Sequence, residues 1–237
     1  MQKILNIMGV TLLLALNSTT AGAQMPQMGQ PLSAQKVSSG TLRVVSDFPS
    51  NHIRTRDVAI WTPANYRKGQ PVDVLYMHDG QNLFDSLSTW NRQEWQMDET
   101  IERLMQKQQI RPTIVVGIAN IPDDRLTDYF PQKTRNYFAQ ADRQMLDSTR
   151  LKADAYLRFI VEELKPFVDR EYQPLTSPEH TYIMGSSMGG LISLYALCEY
   201  PQVFGGAGCL STHVPMVIVP ELFNDKEAID RWAAAFR

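Results

Sequence analysis

The chain has 237 residues, 43% of them hydrophobic and 20% charged, with a formal net charge of -2. That balance fits one globular α/β domain with a sizeable core and excludes a disordered or fibrous chain. Basic and acidic residues are nearly matched, 23 against 25, so nothing calls for a nucleic acid or an anionic membrane as partner.

At the N-terminus, Lys3 precedes an apolar run from Ile4 to Leu16, then polar residues and Ala21-Gly22-Ala23. This order reads as a secretory signal peptide over residues 1–23, with a periplasmic or secreted mature protein and no stable membrane insertion after cleavage. The run is too short to span a bilayer. Residues 24–36, rich in Met, Pro, Gln and Gly, are expected to form a disordered leader to a domain over 37–237. Thr41 to Val45 and Asp57 to Trp61 read as strands, the second stopped by Thr62-Pro63. Val72 to Met77 is nearly continuous apolar sequence, the pattern of a central parallel strand covered on both faces. It runs into His78-Asp79-Gly80-Gln81-Asn82-Leu83-Phe84-Asp85, a loop at the strand's carboxyl end, where open α/β sheets bind ligands. Met97, Ile101, Leu104 and Met105 share a helical face, and Ile114 to Ile118 is a further buried strand. Asn120 to Ala139 reads as a long loop. Leu157, Ile160, Val161, Leu164 and Phe167 mark an amphipathic helix that ends before Pro174. Gly206 to Leu210 is a small-residue strand.

Tyr182-Ile183-Met184-Gly185-Ser186-Ser187-Met188-Gly189-Gly190 is a short apolar run followed by G-x-S-x-G, and Leu191, Leu194, Tyr195 and Cys198 continue it with helical period. Strand, sharp turn and helix in that order form a nucleophile elbow, in which Ser187 stands at the apex. The backbone N–H of Met188, at the start of the helix, is then a donor for a developing oxyanion. Cys198 and Cys209 are the two cysteines, expected as buried free thiols. No Cys/His cluster has zinc spacing, and no dinucleotide or phosphate-loop motif is present, so no cofactor or metal is expected. Asp123, Asp124 and Asp128 read as a solvated loop rather than a cation site.

Val58 to Pro63 with Tyr66, Leu75 to Asp85, Trp95 with Asp98-Glu99, Val115 to Asn120 with Arg125, Tyr129 and Pro131, and Leu164 to Asp169 before the elbow together resemble the esterase D-like family of α/β-hydrolases, known as "Putative esterase". That family includes feruloyl and acetyl-xylan carbohydrate esterases, enterochelin esterases and mycobacterial mycolyltransferases. The resemblance runs from about Arg56 to His213. It implies an α/β-hydrolase-like, mainly parallel sheet with helices on both faces. It also implies Ser187 as nucleophile, the backbone N–H of Gln81 as the second oxyanion donor, and Asn82, Asn120, Arg125 and Tyr129 as substrate-binding residues. Trp90, Trp95, Tyr129, Tyr137 and Phe138 are candidates for a sugar- or aryl-binding surface, with core or loop packing as the alternative for each.

The family's acid and histidine follow further strands after the elbow. After Ser187 the one histidine is His213, a base or a cleft residue. His78 reads as structural, and His52 and His180 as surface-loop residues. Asn224 and Glu227 open an apolar-striped helix through Ile229, Trp232, Ala233 and Phe236 that is still running at Arg237, so the domain is expected to be shortened at its C-terminus and to lack the triad acid and base. The expected function is a secreted serine carboxylic ester hydrolase acting on an acylated carbohydrate or a related small ester. The alternatives are a binding protein on the same fold without the triad acid and base, and an acyltransferase.

Overall fold

The computed structural model describes residues 32, 35–89, 91–133 and 151–212. The expected signal peptide, Trp90, Tyr137, Phe138, His213 and the expected C-terminal helix lie outside the described residues. Among the described residues six strands make one sheet: β1 (Thr41–Phe48), β2 (Arg56–Thr62), β3 (Asp73–His78), β4 (Thr113–Ile118), β5 (Thr181–Ser186) and β6 (Gly206–Leu210), in the order β1-β2-β4-β3-β5-β6. The four strands β4, β3, β5 and β6 run parallel, whereas β1–β2 and β2–β4 pair antiparallel. The sheet is therefore mainly parallel, as expected, with an antiparallel edge of β1 and β2. No helix separates β1 from β2, and a link that short can return the chain only antiparallel.

The helices are α1 (Met97–Gln106), α2 (Pro122–Tyr129), α3 (Ala153–Arg158), a π-helical turn (Phe159–Leu164), α4 (Lys165–Tyr172) and α5 (Met188–Glu199). Side-chain alternation along each strand sorts the core into two layers. Ala59, Trp61, Met77 and Val115 pack with Met97 and Ile101 of α1, while Val58, Ile60, Tyr76 and Val116 pack with Tyr156, Phe159, Leu164 and the buried side of α5. Helices thus cover both faces, which is why β4 is buried at every position.

Four expectations change. The segment from Asn120 to Ala139 is not all loop, because α2 lies inside it. Pro122 stands in its first turn with Asp123 and Asp124, residues that suit a helix N-terminus, although little apolar periodicity advertises them. The cysteines are free but exposed: α5 is covered over its first turns, and Cys198 lies in its last one. Within the stretch expected as a disordered leader, Leu32 is buried in the α1 layer, and Gln35 and Lys36 hydrogen-bond the turn after β3.

Asp128 is no solvated loop residue either. Its Oδ2 accepts from Arg56 Nη2 at 3.0 Å, and both side chains are 1% exposed. The Arg56 guanidinium also lies 5.2 Å from the Tyr156 ring centroid and 5.7 Å from that of Phe159, so one cation joins β2, α2 and the π-helical run. Burial pushes the Asp128 carboxyl pKa up, and the Arg56 charge beside it opposes that shift. Removing one partner of such a pair leaves an uncompensated buried charge. Asp128→Ala is expected to cost about 3–5 kcal/mol, read as a lowered urea midpoint with an unchanged slope.

Candidate active site

The carboxyl ends of β3, β4 and β5 meet at one edge of the sheet, where His78 pairs with Ile118 and Met77 with Met184. Three turns gather there. After β5, Ser187 has φ 58° and ψ -119°, a left-handed backbone that a non-glycine residue adopts only under constraint. Two contacts impose it. A Cβ on Gly185 would stand 2.7 Å from the carbonyl carbon of Gly189, so strand and helix touch backbone to backbone. The Ser187 N–H donates to the Leu210 carbonyl at 2.9 Å, which closes the elbow onto β6. Ser187 is half-buried. Among the described residues its hydroxyl has no hydrogen-bond partner, and the Met188 N–H, in the first turn of α5, has no backbone acceptor.

The turn after β3 is the second piece. Asp79 sits in the left-handed region at φ 57°, followed by a 3₁₀ turn over Gly80–Asn82. Gly80 is pressed against β4: a Cβ there would lie 2.5 Å from the Gly117 carbonyl carbon. The Asp79 carboxylate accepts from Arg125 Nε and Nη2, each at 2.8 Å, and from Asn120 Nδ2 at 2.5 Å. Its Oδ2 also lies against Gly189 of the elbow helix. Arg125 stacks 5.1 Å from the Tyr129 ring centroid, and the hydrogen bond to Asp79 raises its pKa against the opposing effect of burial. Gln81 is held twice. Its carbonyl accepts from Gln35 Nε2 (3.1 Å) and Ser88 Oγ (2.7 Å), and its Oε1 accepts from the Asn120 N–H (3.2 Å). Its own N–H has no acceptor among the described residues.

Under this turn lies His78, 2% exposed. Its Nδ1 is 2.8 Å from the Tyr156 hydroxyl, its ring packs on Tyr129 and Tyr156, and its Nε2 is buried with no partner among the described residues. Burial lowers its pKa to about 4, so the ring is neutral at neutral pH.

The structure thus brings together Ser187, Met188, Asp79, Gln81, Asn120 and Arg125 at one edge. Tyr129 is fully buried, and its hydroxyl accepts from the Asp79 N–H at 3.3 Å. Arg125 and Asn120 direct their donors to Asp79. Asn82 stands half-buried at the rim, its carbonyl accepting from the Trp95 N–H at 2.9 Å. Together with Asn91, Gln93, Glu94 and the exposed Trp95 it lines an open hollow of about 440 Å³. Sequence reasoning did not single out Asp79 or Gln35. For Asp79 a signal existed, an Asp-Gly pair directly after an apolar strand, since Asp tolerates the left-handed region. For Gln35 none did. Among the described residues no three His, Cys, Asp or Glu side chains converge as metal ligands.

A family model described as "Putative esterase" matches residues 51–235. The chain belongs to this esterase family. It is 26% identical to the protein YjcH of Bacillus subtilis over 74% of this chain and 63% of that one. It is 25% identical to a siderophore enterobactin esterase of Emericella nidulans over 61% and 47%. Among solved structures, an IroE-like serine hydrolase from Shewanella oneidensis superposes with a TM-score of 0.58 at 22% identity, covering 82% of this chain and 56% of that one. The likeness shows an α/β-hydrolase-like fold. The esterase-family chain spans about half to two-thirds of the length of the curated relatives it matches.

The buried His78 has a consequence for stability. Its folded pKa of about 4 lies below the ordinary 6.5, so between those values the unfolded chain binds the extra proton. Stability is therefore expected to fall as pH drops from about 6.5 to 4, with His78 contributing up to about 3 kcal/mol of the loss. Urea unfolding of wild type and His78→Gln across that range checks it: the variant should lack this component.

Proposed function

We propose that the protein is a serine carboxylic ester hydrolase working through an acyl-enzyme on Ser187, with the N–H groups of Met188 and Gln81 as oxyanion donors. The observation that carries this reading is the Ser187 backbone, held at φ 58° between Gly185 and Gly189 at the start of α5. That arrangement presents a hydroxyl beside unengaged N–H groups, the geometry that acyl transfer uses. Ser187 Oγ bonds to the ester carbonyl carbon, the bond to the alcohol oxygen breaks, and the alcohol leaves with a proton. Water then attacks the acyl-enzyme and releases the acid and free Ser187. The name of the Shewanella neighbour as a serine hydrolase and of the Emericella relative as an enterobactin esterase agree with this chemistry.

For the substrate we propose an acylated carbohydrate or a related small ester. The hollow beside Asn82 offers amide groups from Asn82, Asn91 and Gln93 and the face of Trp95, a lining that suits a polyhydroxylated alcohol portion. Asn82 is the rim residue we assign to substrate, while Asn120 and Arg125 act on it through Asp79. His213, directly after Thr212 in sequence, is the histidine we propose as base or cleft residue. The leader pattern supports a periplasmic or secreted location, and among the described residues no helix is long and apolar enough to cross a membrane. A second reading, a binding protein on the same fold, is favoured by one observation: no described side chain hydrogen-bonds the Ser187 hydroxyl.

A fluorophosphonate probe and p-nitrophenyl acetate separate the two. The esterase reading expects covalent labelling at Ser187 and ester hydrolysis, with Ser187→Ala abolishing the label and lowering hydrolysis at least about 10³-fold. A folded wild-type protein that neither labels nor hydrolyses selects the binding reading.

A further inference from the structure

We infer that Gln35 is a positioning residue for the turn that carries Gln81, so that the segment just before the first strand is part of the catalytic apparatus. The inference rests on the oxyanion reading above. An oxyanion donor works only if its peptide plane is already oriented when charge develops. The plane carrying the Gln81 N–H begins at Gly80, the residue type least able to hold an orientation by itself. Its neighbours must therefore be clamped on both sides. On one side Asp79 is gripped by Arg125 and Asn120, and its N–H donates to Tyr129. On the other side the Gln81 carbonyl accepts from Gln35 Nε2, and the Ser88 hydroxyl, which itself accepts from Gln35 Nε2 at 2.6 Å, shares its one proton between the Gln81 and Asp85 carbonyls at 2.7 and 2.6 Å.

The strap over residues 35–39 is itself anchored, so this clamp has something to pull against. The Lys36 N–H donates to Asp85 Oδ2 at 3.0 Å. The Ser38 N–H and hydroxyl donate to the buried Asp98 at 2.7 and 3.0 Å, and the Ser39 carbonyl accepts from Trp61 Nε1 at 2.7 Å. Leu32 is buried just upstream, and its carbonyl accepts from the Gln35 N–H at 3.1 Å. Among the described residues Gln35 Oε1 is buried without a partner. A side chain kept only for packing would not retain an unsatisfied buried carbonyl, whereas one kept for its two N–H donors must.

Gln35→Met preserves length and the apolar stem and deletes the donors. In the wild-type background of the whole protein, kcat for p-nitrophenyl acetate and the rate of fluorophosphonate labelling are expected to fall about tenfold, less than for loss of an oxyanion donor itself. KM and the melting temperature should stay unchanged, and amide hydrogen exchange should quicken only within residues 80–89. Ser88→Ala should weaken the same clamp, and the double variant should lose less than the product of the two single losses. Wild-type kcat and exchange in Gln35→Met overturn the inference. So does a loss that tracks a lower melting temperature and faster exchange throughout. If the wild-type protein neither labels nor hydrolyses, the nucleophile reading fails, and exchange confined to residues 80–89 in Gln35→Met still establishes Gln35 as the anchor of the turn.

Discussion

The Asp79 carboxylate is the interaction on which the edge of the sheet depends. It follows β3, receives a two-pronged guanidinium from α2 and an amide from the end of β4, and lies against the first turn of α5. A paired carboxylate and guanidinium match in shape as well as charge. That pairing orients the turn and does not merely attract it. Asp79 also stands in the left-handed region, and Gly80 next to it touches the β4 backbone. The strain of the turn is borne by a charge cluster drawn from three separate elements.

Beneath that cluster the polar groups are stacked. Tyr129 accepts from the Asp79 backbone while lying under Arg125, and Tyr156 meets His78. Arg56 lies over Tyr156 and pairs with Asp128 on α2, the helix that presents Arg125. Each aromatic ring has an apolar body in the core and a hydroxyl turned to a partner, the usual way a tyrosine is buried. The neutral state of His78 belongs to the same arrangement: burial of its ring disfavours the charged form more than the Asp79 carboxylate favours it, and the Arg125 and Arg56 charges add to the effect of burial.

Much of the fold was legible in the sequence. Continuous apolar runs marked β3 and β4, alternation marked β1, the stop at Thr62-Pro63 bounded β2, and small residues between Gly206 and Leu210 marked β6. The elbow was legible because its requirement is local: glycine two residues on either side of Ser187 is what lets strand and helix touch. The helix α2 was not, since its first turn is built from Pro and Asp and it buries only Asp128 and Tyr129, too few apolar residues to set a period. For Tyr129 the sequence left both a binding surface and core packing open, because nothing in its neighbours decides between them. Cys198 carried the spacing of a buried stripe, yet α5 is uncovered where that stripe ends.

The sequence by itself determined the periodicities, the strand-turn-helix around Ser187 and the membership of its blocks in an esterase family, because those properties rest on residues a few positions apart. Only the tertiary structure decided which polar groups meet. Gln35 reaches Gln81 across 46 residues, Arg125 reaches Asp79 across 46, and Arg56 reaches Asp128 across 72. Such pairings depend on the order in which strands enter the sheet, and each draws its strength from burial that no local stretch of chain can create for itself.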